Sequence, residues 1–406
     1  MQCLKCKGRG FCGRDVCPHY LKSQARFRVQ HVLDRETFFG TSPAPFVGRV
    51  GYPFVNVGIL SPAMQVDDAA IYDAPRHWAR EDFKIPQIVD LRSSLINSRF
   101  TAHVRERDKF LEISQEVGMA NKPVEVEIEL EKKPVFSTSY DNSLAPMGPN
   151  ASLKSAKITA NPRISHEVDY VVDDSGLKAQ EALLYLHKKG HDENFLSKLL
   201  SVGTIGIQYQ RRLVPTRWSI TAVDDFLSRE ALKEIKTYPQ EDNLFFYGNY
   251  LGNYYLIMFF SDKWSYELFE TYLPKASWNL STEPAFMTDY EGFNGRKNYA
   301  EDCAGGYYAC RNAITEEMKE RRKQASVLAL RFITGEYAAP LGVWVCREAT
   351  RKAMQSKPIE FQEQKTMIDY VKSLVIRKFG YDIAKILSES KLLREGKEQT
   401  KLSRFL

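Results

Sequence analysis

The chain has 406 residues, 43% of them hydrophobic and 27% charged, the balance of a soluble globular protein long enough for two ordinary domains or one large one. Its most apolar stretch, Tyr254–Phe260, falls far short of the roughly 20 residues that span a bilayer. The N-terminus opens on cysteines and basic residues without the apolar run of a secretion signal, so a cytoplasmic protein with no membrane partner is expected. The net charge of +6 is unevenly spread: residues 1–30 carry seven Lys/Arg against one Asp, and residues 371–406 carry nine against four Asp/Glu, which leaves −5 for residues 31–370. A mildly acidic body is not the basic stripe of a duplex-binding platform. DNA contact is therefore expected at the basic ends, unless these are simply solvated.

Four of the seven cysteines, Cys3, Cys6, Cys12 and Cys17, fall within fifteen residues. Two close pairs of thiolates can wrap a tetrahedral ion, and a structural Zn2+ is the usual occupant of such a closed site. An iron–sulfur cluster also takes four thiolates and stays open as an alternative. Phe46-Val-Gly48-Arg49-Val-Gly51-Tyr52-Pro53 follows a helix-prone connector. Its glycines would let backbone amides approach an anion, with Arg49 beside them; the other reading is a Gly-rich turn between strands. No Walker A or dinucleotide fingerprint is present.

Helical spacing is expected over Ile85–Phe100 and Val104–Val117. Pro123–Leu130 alternates Val124, Val126, Ile128 and Leu130 with glutamates, a strand with one core face and one row of carboxylates, suited to a sheet edge. Ser137–Pro162 reads as a long loop or boundary, and Leu177–Lys189 as a helix ended by Gly190 between His187 and His191.

Thr204–Asp225, TIGIQYQRRLVPTRWSITAVDD, holds two glycines, three arginines and two adjacent aspartates. Ile205–Gln210 and Arg217–Thr221 have the composition of strands, separated by a break at Pro215. Arg211, Arg212 and Arg217 would then stand at strand ends, where a guanidinium meets a phosphate or carboxylate through two parallel hydrogen bonds. Asp224 or Asp225 would cap the next helix. A structural ion-pair cluster is the competing reading.

Asn243–Tyr250 and Gly252–Phe260 read as an antiparallel hairpin. The Gly-rich segment Phe286–Cys310, running into a helix over Ala313–Phe332, would set an anion at a helix N-terminus. Cys303, Cys310 and Cys346 read as buried thiols. The chain closes on Gln399-Thr-Lys-Leu402-Ser-Arg-Phe405-Leu406. Gln399, Leu402 and Phe405 are three residues apart in turn, and i and i+3 eclipse in a 3₁₀ turn. Leu402, Phe405 and Leu406 would form one apolar plug with Gln399 anchoring the segment before it, which is the sliding-clamp (PCNA) binding pattern.

GIQYQRRLVPTRWSITAVDD, together with FVGRVGYPFVNVGILSP upstream, resembles the archaeal Nre family of DNA repair proteins, and the likeness runs from the N-terminal cysteines to the C-terminal octapeptide. The resemblance implies a repair factor recruited to the sliding clamp at damaged or replicating DNA. The alternative is an enzyme acting on a nucleotide or nucleic-acid end by phosphate-dependent glycosyl or phosphoryl transfer. Gly48, Arg49, Gly51, Arg211 and Arg217 would then grip phosphate, with Arg212 and Asp224 or Asp225 as the catalytic groups. The expected architecture is mixed α+β: a largely antiparallel central sheet with flanking helices over 21–387, a small zinc knuckle at 1–20 and a flexible tail over 388–406 ending in the clamp motif.

Overall fold

In the computed structural model, residues 34–136, 147–279 and 281–402 are described, with positions 17, 23, 24, 27 and 30 before them and side chains up to residue 396. Alternating burial builds the first sheet from β1 (Thr37–Ser42), β2 (Ala44–Val47), β3 (Phe54–Ser61), β4 (Ile96–His103), β5 (Val124–Leu130) and β6 (Asn150–Ile158), in the order β1-β5-β6-β4-β3-β2. Only β4 and β6 run parallel. Val124, Val126, Ile128 and Leu130 face the core, as their alternation predicts. Contrary to the edge expectation, β5 is an interior strand between β1 and β6. Its Glu129 is held by Lys154 Nζ at 2.7 Å and Ser155 Oγ at 3.0 Å, which keep the carboxyl below its usual range.

Helices α1 (Pro75–Arg80), α2 (Ile85–Ser93), α3 (Lys109–Met119), α4 (His166–Asp173), α5 (Ala179–Lys188) and α6 (Glu193–Ser201) accompany this sheet. Asp108 and Asp192 cap α3 and α6 through Leu111 N and Phe195 N. The helix expected over 85–100 stops at Ser93, because Ile96–His103 is claimed by pairing with β3 along its whole length.

Helix α7 (Thr216–Ile235) follows. The packing divides the chain within it, giving one unit of residues 17–226 and a second of residues 227–406.

The second unit carries β7 (Asn243–Tyr250), β8 (Asn253–Phe260), β9 (Ser265–Tyr272), β10 (Ala285–Glu291), β11 (Ser326–Ile333) and β12 (Ile359–Phe361), in the order β10-β9-β11-β8-β7-β12, again with a single parallel pair. The β7–β8 hairpin turns at Leu251 and Gly252, both at positive φ (51° and 75°), the two-residue turn whose twist suits a hairpin. Helix α8 (Ala304–Arg321) ends where Arg322 turns left-handed. Ser326–Ile333, expected as more helix, is instead the fully buried strand β11; an apolar run this short fits either assignment by composition. Helices α9 (Trp344–Met354), α10 (Gln364–Phe379), α11 (Ala384–Glu389) and α12 (Lys391–Leu402) complete the unit. The sequence expects a free tail from 388, but Ser390 and Leu392 are buried. Two largely antiparallel sheets with flanking helices make the fold mixed α+β.

Candidate functional site

Gly48, Arg49 and Gly51 form the turn between β2 and β3. Gly48 N donates to Asn56 O at 2.7 Å and Phe54 N to Gly51 O at 2.9 Å. Gly51 sits at φ +85°, where a Cβ would lie 2.7 Å from Phe54 O. The glycine spacing thus serves a tight turn, and the amide of Gly48 is spent within the hairpin. Arg49 is exposed.

The strands expected over 205–210 and 217–221 are absent. Gln208–Gln210 is a single 3₁₀ turn, and Arg217–Thr221 opens α7. Pro215 supplies the reason, since its fixed φ suits a helix start and its carbonyl accepts from Trp218 N and Ser219 N. Ser219, Val223, Leu227 and Ser228 are buried along one face, a helical stripe that serines disguise in the sequence. Asp224 and Asp225 therefore lie inside the helix and do not cap it; Asp224 is fully buried.

The hairpin and the start of α7 nonetheless meet. Val47 N donates to Thr216 Oγ1 at 2.9 Å, across 169 residues of sequence, and the rings of Tyr52 and Trp218 pack 5.3 Å apart. Arg49 and Arg217 are thereby carried on adjoining elements.

The neighbouring arginines divide sharply in role. Arg211 gives its whole guanidinium to backbone carbonyls: Nε to Gly206 at 2.6 Å, Nη1 to Val172 at 2.8 Å and Nη2 to Asp174 at 2.9 Å. It is a structural clamp. Arg212 is exposed, with no hydrogen bond or ion pair through its guanidinium among the described residues. It lines a cavity of about 330 Å³ with Arg105, Arg107, Gln208, Glu112 and Gln115, over a floor that includes Val104, Leu111 and Leu213.

Arg105 and Arg107 are exposed and equally without a guanidinium partner among the described residues. Two of the neighbouring carboxylates are engaged: Glu106 Oε2 accepts from His103 N at 2.7 Å, and Asp108 Oδ1 from Leu111 N at 2.8 Å. Binding an anion there separates no existing ion pair of these arginines. Asp224 and Asp225 do not line the cavity. Arg105 and Arg107 went unnoticed in the sequence; their signal is the Arg-x-Arg that follows the end of β4.

The other candidates resolve as structure. Asp289 Oδ2 accepts from Cys303 N at 2.8 Å, just before α8, while Arg296 pairs with Asp289 at 2.8 Å and donates to the carbonyls of Tyr290 and Tyr299. The anion expected at this helix start is the chain's own carboxylate. Asn253, at the β7–β8 turn, is consumed by Arg331, whose Nη1 also meets Glu270 at 2.5 Å. Cys303, Cys310 and Cys346 are buried, as expected. Burial pushes all three thiols up, Cys310 to about 12, which removes them as nucleophiles near neutral pH. Among the described residues no group of three or more His, Cys, Asp or Glu is placed to hold a metal. Cys3, Cys6 and Cys12 lie outside the described residues, and Cys17 is half-buried. Gln399 and Leu402 fall on the last turns of α12; Phe405 and Leu406 lie outside the described residues.

The family model described as Archaeal Nre, N-terminal matches residues 11–279, and the model described as Archaeal Nre, C-terminal matches residues 291–405. The chain belongs to the archaeal Nre family. It is 35% identical over 401 residues to the DNA repair protein NreB of Archaeoglobus fulgidus, covering 98% of this chain and 99% of that protein. It is also 37% identical over 367 residues to the DNA repair protein NreA of the same organism (89% and 90% covered) and 35% over 368 residues to the DNA repair protein NreA of Haloferax volcanii (88% and 87%). No solved structure matches the chain. Both family models together embrace the hairpin turn, the Arg105–Arg107 segment, Arg212 and the C-terminal residues. No helix among the described residues is long and apolar enough to cross a membrane.

Proposed function

We propose that this Nre chain is a DNA repair factor that holds a nucleic-acid backbone on the arginine-lined cleft of its first unit and is brought to its work by the sliding clamp. The observation that carries the first half is the cleft: Arg105, Arg107 and Arg212 are exposed and without ion pairs among the described residues, while Glu106 and Asp108 beside them are already spent on backbone amides. Guanidinium groups in this state meet phosphate oxygens through paired hydrogen bonds. The names of the relatives support a repair role. The clamp half rests on Gln399 and the apolar Leu402, Phe405 and Leu406, a plug that a clamp groove would bury. Cys3, Cys6, Cys12 and Cys17 complete the reading as a structural zinc knuckle, which one zinc per chain, released on chelation, would establish.

The test is binding of a labelled oligonucleotide by the full chain across a salt series. Each arginine replaced by alanine should lower the dependence of log affinity on log salt by about one unit, and a chain with no measurable nucleic-acid affinity would overturn the cleft assignment. Separately, Phe405→Ala should abolish capture by the purified clamp without altering oligonucleotide binding.

A nucleotide-handling enzyme is the second reading. The cavity lies at the lower end of small-ligand pocket sizes, about 300 Å³. Calorimetry with AMP, ADP, ATP and adenosine, with and without inorganic phosphate, checks it; heat of binding lost in Arg212→Ala would favour it.

A further inference from the structure

Beside the cleft stands a surface that electrostatics alone does not explain. Phe54 is 60% exposed, Trp218 45% and Tyr52 43%. They form two ring pairs, Tyr52 with Trp218 at 5.3 Å and Phe54 with His103 at 5.1 Å. All four stand on fixed elements. Phe54 opens β3 directly opposite His103 of β4, the hairpin is tied to that strand end by Val104 N donating to Pro53 O at 3.0 Å, and Trp218 lies in the first turn of α7. Rings held in this way lose little conformational freedom when they bind.

Arginines flank them, and the nearby Glu106 carboxylate is occupied, accepting from His103 N at 2.7 Å. Arg49 shares the turn with Tyr52, Arg217 precedes Trp218, and Arg105 stands two residues beyond His103. Residues 46–56 and 213–223 contain no acidic side chain. Half-exposed aromatic faces with arginines beside them fit a ligand that alternates flat apolar rings with anions, namely an unpaired nucleobase on its phosphate backbone. A duplex offers phosphates to the arginines but keeps its base faces stacked and out of reach.

We infer that the Tyr52–Trp218 and Phe54–His103 surface is a stacking platform for unpaired bases, so that the substrate class is single-stranded or locally opened nucleic acid. This rests on the nucleic-acid reading of the cleft and adds the selectivity that the arginines cannot supply.

The experiment compares the full chain with Trp218→Ala, Trp218→Phe, Phe54→Ala and Arg212→Ala. Each is titrated with a fluorescein-labelled dT12, its dA12 duplex and the matching RNA single strand. The platform predicts tighter binding of dT12 than of duplex. Trp218→Ala should weaken dT12 on the order of ten-fold, with duplex affinity and the salt dependence of binding unchanged, and Trp218→Phe should recover most of the loss. Phe54→Ala should act in the same direction, guarding against a defect peculiar to position 218, and circular dichroism checks that each variant is folded. Equal affinity for single strand and duplex, untouched by Trp218→Ala, would overturn the platform and leave the cleft standing. Absence of binding by every oligonucleotide would overturn both and turn the aromatic surface into a protein-docking face. The RNA arm separates a DNA surface from one that takes either backbone.

Discussion

Glu267, buried in the middle of β9, accepts a hydrogen bond from Ser390 Oγ at 2.5 Å, 123 residues further along the chain. The same carboxylate receives Lys391 N at 3.0 Å and Leu392 N at 3.1 Å, so a sheet residue caps the final helix. Glu267→Ala should cost about 1 kcal/mol, in the range of a lost helix cap, and should raise amide exchange selectively over residues 391–396. Exchange unchanged there would show that apolar packing of Leu392 alone holds the helix.

Burial lifts the Glu267 carboxyl above its ordinary 4.5, against the pull of Ser390 and the two amides. The folded chain then holds this proton more tightly than the unfolded one. The contribution to stability is full below 4.5 and is lost as pH rises through the folded value. Glu267→Gln, which has no charge to bury, should remove that part of the pH dependence, read as urea midpoints at closely spaced pH values from 4 upward.

Arg331 and Glu270 form a buried pair at 2.5 Å, with side chains 7% and 5% exposed. Removing one partner strands the other charge, so Glu270→Ala should destabilise the second unit by about 3–5 kcal/mol. Replacing both by apolar residues of similar volume should cost far less. A double variant as unstable as the single one would contradict the stranded-charge account.

Arg211 and Arg212 adjoin in sequence and should separate completely in experiment. Arg211→Ala orphans three carbonyls and should lower stability by about 2 kcal/mol. Arg212→Ala should leave stability within about 0.5 kcal/mol and register only in ligand binding. Thermal melts paired with oligonucleotide titrations decide the matter.

Because burial pushes Cys303, Cys310 and Cys346 upward, a thiol reagent at pH 8 should find at most four of the seven cysteines in the folded chain. All seven should react in denaturant. Early labelling of the three buried thiols would mean that the second unit opens readily.

Much of the architecture is legible from periodicity: the alternation in Val124–Leu130, the hairpin at Leu251-Gly252, the helix ended at Gly190. The misread strand over Arg217–Thr221 has a local cause. Thr216–Thr221 carries β-branched and aromatic residues, yet Pro215 and a buried face made partly of serines set it into a helix, because strand propensity mostly reports fit to a half-buried surface. The division of labour between Arg211 and Arg212 is not legible in the sequence. That division depends on where the carbonyls of Gly206, Val172 and Asp174 happen to point, which no local pattern encodes.

The anchoring of α12 also fixes a length of leash. From Glu395, whose carboxylate accepts from Tyr290 Oη at 2.5 Å, to Gln399 there are four steps, about 6 Å if the helix persists and roughly 14 Å if it is drawn out straight. A clamp that engages Gln399 would hold this protein at close quarters, with little slack to swing between distant sites. Inserting a flexible spacer after Lys397 would lengthen the leash without touching the motif or the Glu395–Tyr290 contact. Repair would then reveal whether nearness, and not attachment alone, is what the short tether provides.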